Sequence, residues 1–155
     1  IMATGGEKNV GYSLVNNGAL TLEHTIRNPR YSGIVICREM IIVIDISTWK
    51  VRLHRLHDGK LLATSDRLES LPRDICLVSD KEICVILENG LIEIMSVEST
   101  DTTGVITPTK TLNVQGVLDE YRGVVSINDD LVVCGVKQDT MYWYIVSLNK
   151  IHQIC

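Results

Sequence analysis

The sequence predicts an all-β chain, a partial β-propeller built of four-stranded antiparallel blades. Three observations predict it. Apolar runs of similar opening recur at a period of 40 to 50 residues. Tight-turn dipeptides fall between the runs. Branched aliphatic residues dominate, and no stretch carries a convincing helical periodicity. Val, Ile and Thr favour strands because their branched side chains pack well on a pleated surface.

The repeat sets the element order. Ile34-Val-Ile-Cys37, Ile75-Cys-Leu-Val78 and Val124-Val-Ser-Ile127 open three units and start 41 and 49 residues apart. A polar turn follows each, then a second run: Ile41-Ile-Val-Ile44, Ile83-Cys-Val-Ile86 and Leu131-Val-Val-Cys134. Third runs start at Val51, Leu91 and Met141, and fourth runs at Leu61, Val105 and Ile151. Four short strands per unit at this period are the mark of propeller blades.

The first two runs of a unit are apolar nearly throughout, as for strands buried on both faces. The third run alternates in Lys50, Val51, Arg52, Leu53 and His54, so one of its faces should be wet. Asp58-Gly59 and Asn89-Gly90 supply the positive φ that tight hairpins need. Asn16-Asn17-Gly18 and Asn128-Asp129-Asp130 have similar chemistry. Pro29 and Pro72 fall in links between units, where a missing N–H does no harm.

These boundaries predict one propeller segment of about three and a half blades: a partial blade over 1–28, then blades over 29–70, 71–119 and 120–155. In the partial blade, Val10 to Val15 and Ala19 to Ile26 read as its outer two strands. Propellers usually close with 4–8 blades. A six-bladed parent is expected, with the remaining blades supplied by sequence outside this chain. The chain starts with Ile rather than Met, and an excised piece of a longer cytoplasmic protein is expected.

Apolar residues make up 45% of the 155, enough for a core. The formal net charge of -4 argues against a protein organised around phosphate neutralisation, although local patches could still bind RNA. No run approaches the ~20 apolar residues of a membrane helix, so no membrane partner is expected. The five cysteines, Cys37, Cys76, Cys84, Cys134 and Cys155, form no C-x-x-C pair. They read as free thiols acting as small apolar groups.

Asp58-Gly-Lys-Leu-Leu, followed by Leu71-Pro-Arg-Asp-Ile-Cys-Leu-Val-Ser-Asp-Lys-Glu-Ile-Cys-Val-Ile-Leu87, resembles the NHL-type propeller repeats of tripartite-motif (TRIM) proteins. The resemblance spans Gly33 to Ile151 and is specific over residues 58–87; the Asn-His-Leu triplet is absent. WD repeats fit less well, since Trp49 is followed by Lys50. The resemblance implies the substrate-recognition part of a TRIM-like ubiquitin ligase or a signalling protein. In full-length relatives a RING domain performs the catalysis, and this chain has no such zinc module. RNA binding, as in some NHL propellers, is the alternative that the resemblance leaves open.

For the chain itself the residues predict no catalytic site, no cofactor and no metal. His54 and His57 alternate off a strand into a turn, and no further ligand stands at suitable spacing. A metal-dependent propeller hydrolase would repeat an acid at the head of each inner strand, but the counterparts of Asp74 are Gly33 and Gly123. Asp74 instead reads as a cap for the turn after Pro72.

Blade links and second-to-third-strand turns of a propeller open on one rim. That rim should carry Arg30, Tyr31, Trp49, Arg73, Arg122 and Lys137, together with Asn89, Tyr121 and Gln138. Arg, Tyr and Trp are over-represented at binding hot spots. A protein partner recognised by this rim is the expectation. Lys50, Arg52 and His54 read as a solvated charged strip, and Tyr142-Trp143-Tyr144 as packing between blades.

Overall fold

The computed structural model describes the strand backbones Met2–Gly5, Lys8–Leu14 and Leu20–Arg27, and residues 30–148 with their side chains. Every regular element among them is a strand. None is a helix long and apolar enough to cross a membrane.

Strands β1 (Met2–Gly5), β2 (Lys8–Leu14) and β3 (Leu20–Arg27) form an antiparallel three-stranded sheet. The sequence suggested two strands here; β1 is the addition, paired along β2 from Met2 opposite Gly11 to Gly5 opposite Lys8. Val15, Ala19, Pro29 and the turn at Asn16 lie outside the described residues, as do Ile151, Cys155 and the fourth run of the last unit.

Three further sheets follow in chain order. The first blade is β4 (Tyr31–Cys37), β5 (Met40–Asp45), β6 (Lys50–Arg55) and β7 (Leu61–Thr64). The second is β8 (Pro72–Leu77), β9 (Glu82–Leu87), β10 (Leu91–Ser99) and β11 (Gly104–Asn113). The third shows β12 (Glu120–Ile127), β13 (Asp130–Lys137) and β14 (Thr140–Ser147). Each pairs its strands in sequence order, as meanders do. Strand β8 is flanked by β4 on one side and β12 on the other, so the inner strands stand side by side. This is the radial stacking of a partial β-propeller.

Two apolar layers fill the spaces between the three blades. Ile42, Ile44 and Leu53 of the first blade meet Ile75, Ile83, Val85 and Leu87 of the second. Cys76, Cys84, Ile86, Ile92 and Leu112, on the second blade's other face, meet Tyr121, Val124, Leu131 and Val133. Strand β9 explains why its sequence is apolar without a break. Ile83, Val85 and Leu87 serve one layer, Cys84 and Ile86 the other, and all five are fully buried. Each such aliphatic side chain contributes ~1.5–3 kcal/mol on burial.

The inner strands also share an irregularity. The ladder register slips between Tyr31 and Gly33, between Pro72 and Asp74, and between Tyr121 and Gly123. The residue passed over is Ser32, Arg73 or Arg122. The structural counterpart of the two arginines is therefore Ser32, and Arg30 stands two residues earlier. Bulges of this kind bend a strand and re-aim a side chain.

The register also pairs the faces of successive blades. Ile34, Ile75 and Val124 are equivalent, and Ile75 and Val124 face the preceding blade; Val35 and Cys76 face the following one, and Val125 is their counterpart. On the third blade the following-side face is open. It holds Val125 at 49% exposure, Ile127 at 53%, Met141 at 62%, Trp143 at 67% and Ile145 at 61%. Trp143 is thus not packed between described blades, because it lies on the side away from Val124 and Val133.

Candidate functional site

The rim that carries the blade links is held together by the backbone. Ile46 N–H donates to Arg30 O, Leu68 N–H to Trp49 O, and Glu88 N–H to Leu71 O, each within 2.7–2.8 Å. In each case a second-to-third-strand turn is tied to a blade link. The two sets of loops therefore form one surface.

Trp49 is the aromatic among the positive-φ residues of these turns, which also include Gln138 and Asp139. Its φ is 57°, in the left-handed region that bulky residues rarely occupy. The guanidinium of Arg67, from the link between the first and second blades, lies 4.4 Å from the centre of its ring. At this distance the cation is attracted by the ring's negative face. The sequence reading missed Arg67, although its place in the link after β7 would have brought it to the same rim.

Arg73 and Arg122 are brought together by two glutamates. Arg73 forms an ion pair with Glu88 and reaches Glu120 at 3.6 Å, while Arg122 meets Glu120 at 2.9 Å. Arg73 is the more enclosed, and its Nε is buried without a partner. Arg122 remains 54% exposed. Two cations and two carboxylates cancel, so this part of the rim is polar without being basic. Exposed pairs of this kind add little stability and mainly fix orientation.

The other candidates are spread along the same rim. Arg30 is exposed. Tyr31 is half-buried, and burial pushes its phenol above the usual range against the opposing pull of Arg52. Lys137 ends β13 opposite Thr140 and is half-buried. Asn89 Oδ1 accepts from Leu91 N–H at 3.1 Å, which holds its own turn. Gln138 N–H donates to Asp119 Oδ2 at 2.9 Å.

Tyr121 is not on the rim surface. It is 1% exposed, its hydroxyl donates to Val114 O, and the same hydroxyl oxygen accepts from Leu118 N–H at 3.3 Å. The ring pins the link that follows β11. Gly90 lies beneath it with φ at 87°, and a Cβ there would stand 2.7 Å from the Tyr121 ring. Both the backbone angle and the space require glycine.

The expected solvated strip is packed instead. Asp45 is 2% exposed and binds Arg52 Nε at 2.9 Å and Ser47 N–H at 3.0 Å. Burial pushes its carboxyl up, but the hydrogen bonds of Ser47 and Arg52 outweigh that and hold it below the usual range. His54 is 6% exposed. Its Nδ1 lies 2.9 Å from Gly59 O, so the carbonyl fixes the proton on Nδ1 and leaves Nε2 as a buried lone pair without a partner. Burial lowers its pKa. His57 stands apart on the surface beside Asp58. Among the described residues, no three His, Cys, Asp or Glu side chains gather closely enough to hold a metal ion.

Asp74 does not cap the turn after Pro72; it stands within β8 and its carboxylate reaches the next blade. Its Oδ2 accepts the backbone N–H of Val124 on β12, which links the second blade to the third. Nothing in the local sequence signals this, because the partner is a backbone group far along the chain.

No protein-family model matches the chain. No curated protein matches it either. Among solved structures it is similar to a chain of the nidogen/laminin complex, with a TM-score of 0.67 and 18% identity over 92% of this chain and 55% of that one. It is also similar to a chain of the S. cerevisiae assembly of a Dbp5 variant with Nup159, a Gle1 variant, IP6 and ADP. There the TM-score is 0.62 at 9% identity, over 95% of this chain and 44% of that one. The chain thus spans about half the length of the solved chains it matches. At these identities the likeness is one of fold.

Proposed function

We propose that this chain is the interaction segment of a β-propeller, recognising a protein partner through the rim that carries Trp49, Arg67, Arg30 and Arg122. The observation that carries the reading is Trp49. A bulky aromatic is held in a left-handed conformation, under a stacked guanidinium, at the mouth of a rigid scaffold. Strained residues of this sort persist where the surroundings hold them in place, and they cluster at binding sites. Loops on a rigid scaffold are where recognition usually resides.

The charge pattern favours protein over RNA. Arg73 and Arg122 are neutralised by Glu88 and Glu120, and phosphate binding needs cations free to replace counterions. In this reading the chain performs no catalytic step and works in the cytoplasm. The resemblance to NHL repeats extends the proposal to substrate recruitment for a TRIM-like ubiquitin ligase, whose RING would lie elsewhere in the parent. The open face of the third blade takes the rest of the propeller from the same parent.

Affinity capture followed by cross-linking tests the rim. Trp49→Gly relieves the backbone strain and removes the ring; Arg30→Glu with Arg122→Glu reverses two exposed charges. Both variants should keep the β-type circular dichroism spectrum and lose the captured protein. Capture that survives both changes would overturn the proposal. Bound material that is destroyed by ribonuclease and released steeply by salt would favour RNA.

A further inference from the structure

Cys76 and Cys84 form a feature that partner binding does not use. They stand directly opposite each other on β8 and β9. Both side chains lie in the same apolar layer, and both thiols are free. Val78 N–H donates to Glu82 O at 2.9 Å nearer the turn, so the alternation of the ladder makes Cys76 and Cys84 a hydrogen-bonded pair as well. The Cα atoms of such a pair are ~5.5 Å apart. That lies inside the ~4.4–6.8 Å range that disulfides span. The Cβ atoms of facing residues are wider apart than a relaxed disulfide prefers, so a bond here would be strained and easily reduced.

The two sulfurs are not alike. Cys84 is fully buried, whereas Cys76 keeps 9% exposure and is the one a small oxidant reaches first. The neighbouring Cys84 thiol and Ser126 backbone N–H hold the Cys76 pKa below the usual value against the effect of burial. Cys84 is pushed well above the usual value by its bond to Cys76 and by burial. The negative charge is thus favoured on Cys76, and the proton stays on Cys84.

We propose that Cys76 and Cys84 are an oxidation site, closed by hydrogen peroxide to a reversible cross-strand disulfide at the junction of the second and third blades. The Cys76 thiolate attacks one peroxide oxygen, the O–O bond breaks, and the departing hydroxide takes a proton to become water. Cys76 is left as a sulfenic acid. The Cys84 sulfur then attacks the Cys76 sulfur. The S–S bond forms, the S–O bond breaks, and the second hydroxide leaves as water with the Cys84 proton. Two thiols and one peroxide give one disulfide and two waters. Closure redirects the Cys76 sulfur, which neighbours the Ser126 N–H of β12, so the contact between these blades should loosen.

The test treats the purified chain with hydrogen peroxide and reads intact mass, peptide maps and amide exchange. The expected result is loss of two hydrogens, a Cys76–Cys84 linked peptide, faster exchange at Ser126, and full reversal by dithiothreitol. With Cys84→Ser, a sulfenic acid should instead be trapped at Cys76 by dimedone. Should Cys84→Ser fail to fold, the linked peptide from the unaltered chain decides. Oxidation at Cys37 or Cys134 with Cys76 left reduced would overturn the proposal, as would a linked peptide joining any other pair.

Discussion

Asp74 Oδ2 accepts the backbone N–H of Val124 at 3.0 Å, joining the inner strands of neighbouring blades. Val124 sits just past the slip in β12, and its N–H points away from β13 toward the second blade. The carboxylate satisfies a donor that the ladder leaves unpaired. Asp74→Ala should therefore lower stability by about 1–3 kcal/mol, the cost of orphaning one such group. Asp74→Asn keeps an acceptor oxygen and should lose less. Urea denaturation of the three proteins gives the ranking, and equal midpoints for Ala and Asp would refute it.

Gly135 should tolerate no side chain. A Cβ there would lie 1.9 Å from the Glu120 carbonyl oxygen and 2.9 Å from Leu118 Cδ1. The first contact is with backbone, so relief requires β12 to move. Gly135→Ala should cost at least the ~1–3 kcal/mol typical of overpacking. A thermal melt checks this, and an unchanged midpoint would mean that β12 and β13 sit further apart.

Stability should fall with pH in two separate windows. His54 is buried with its pKa lowered, so the unfolded chain binds its proton more readily. Stability is then full above the ordinary histidine value of about 6.5 and declines as pH falls below it toward the folded value. Asp45, with its pKa lowered in the folded state, contributes stability above its unfolded value of about 3.9 and loses it as pH falls through the folded value. Urea midpoints from pH 7.5 downward should show both declines. His54→Gln should flatten the upper one and leave the lower; a slope unchanged by that substitution would assign the upper window elsewhere.

Particular residues show what was legible in the sequence. The unbroken apolar runs at Ile41 and Ile83 announced strands buried on both faces, and Asn89-Gly90 announced its turn. These are local signals, set by side-chain alternation and allowed φ. Contacts across blades left no such trace. Glu88 and Glu120 meet Arg73 from separate turns and links, so its neutralisation could not be read from neighbouring residues. The slip at Ser32, Arg73 and Arg122 left no mark either, because a bulge adds a residue without changing composition. Arg52 and His54 looked wet from their alternation, yet Asp45 and burial enclose them.

The radial stacking of the blades is tested most directly by one pair of methyl groups. Ile44 Cδ1 and Ile75 Cγ2 both approach Gly33, at 3.2 and 2.9 Å from where a Cβ would stand. One belongs to the first blade and the other to the inner strand of the second. A nuclear Overhauser experiment on methyl-labelled protein should give a strong cross-peak between them. Its absence, with Ile75 instead close to methyls of a sheet layered across it, would contradict the stacked-blade arrangement.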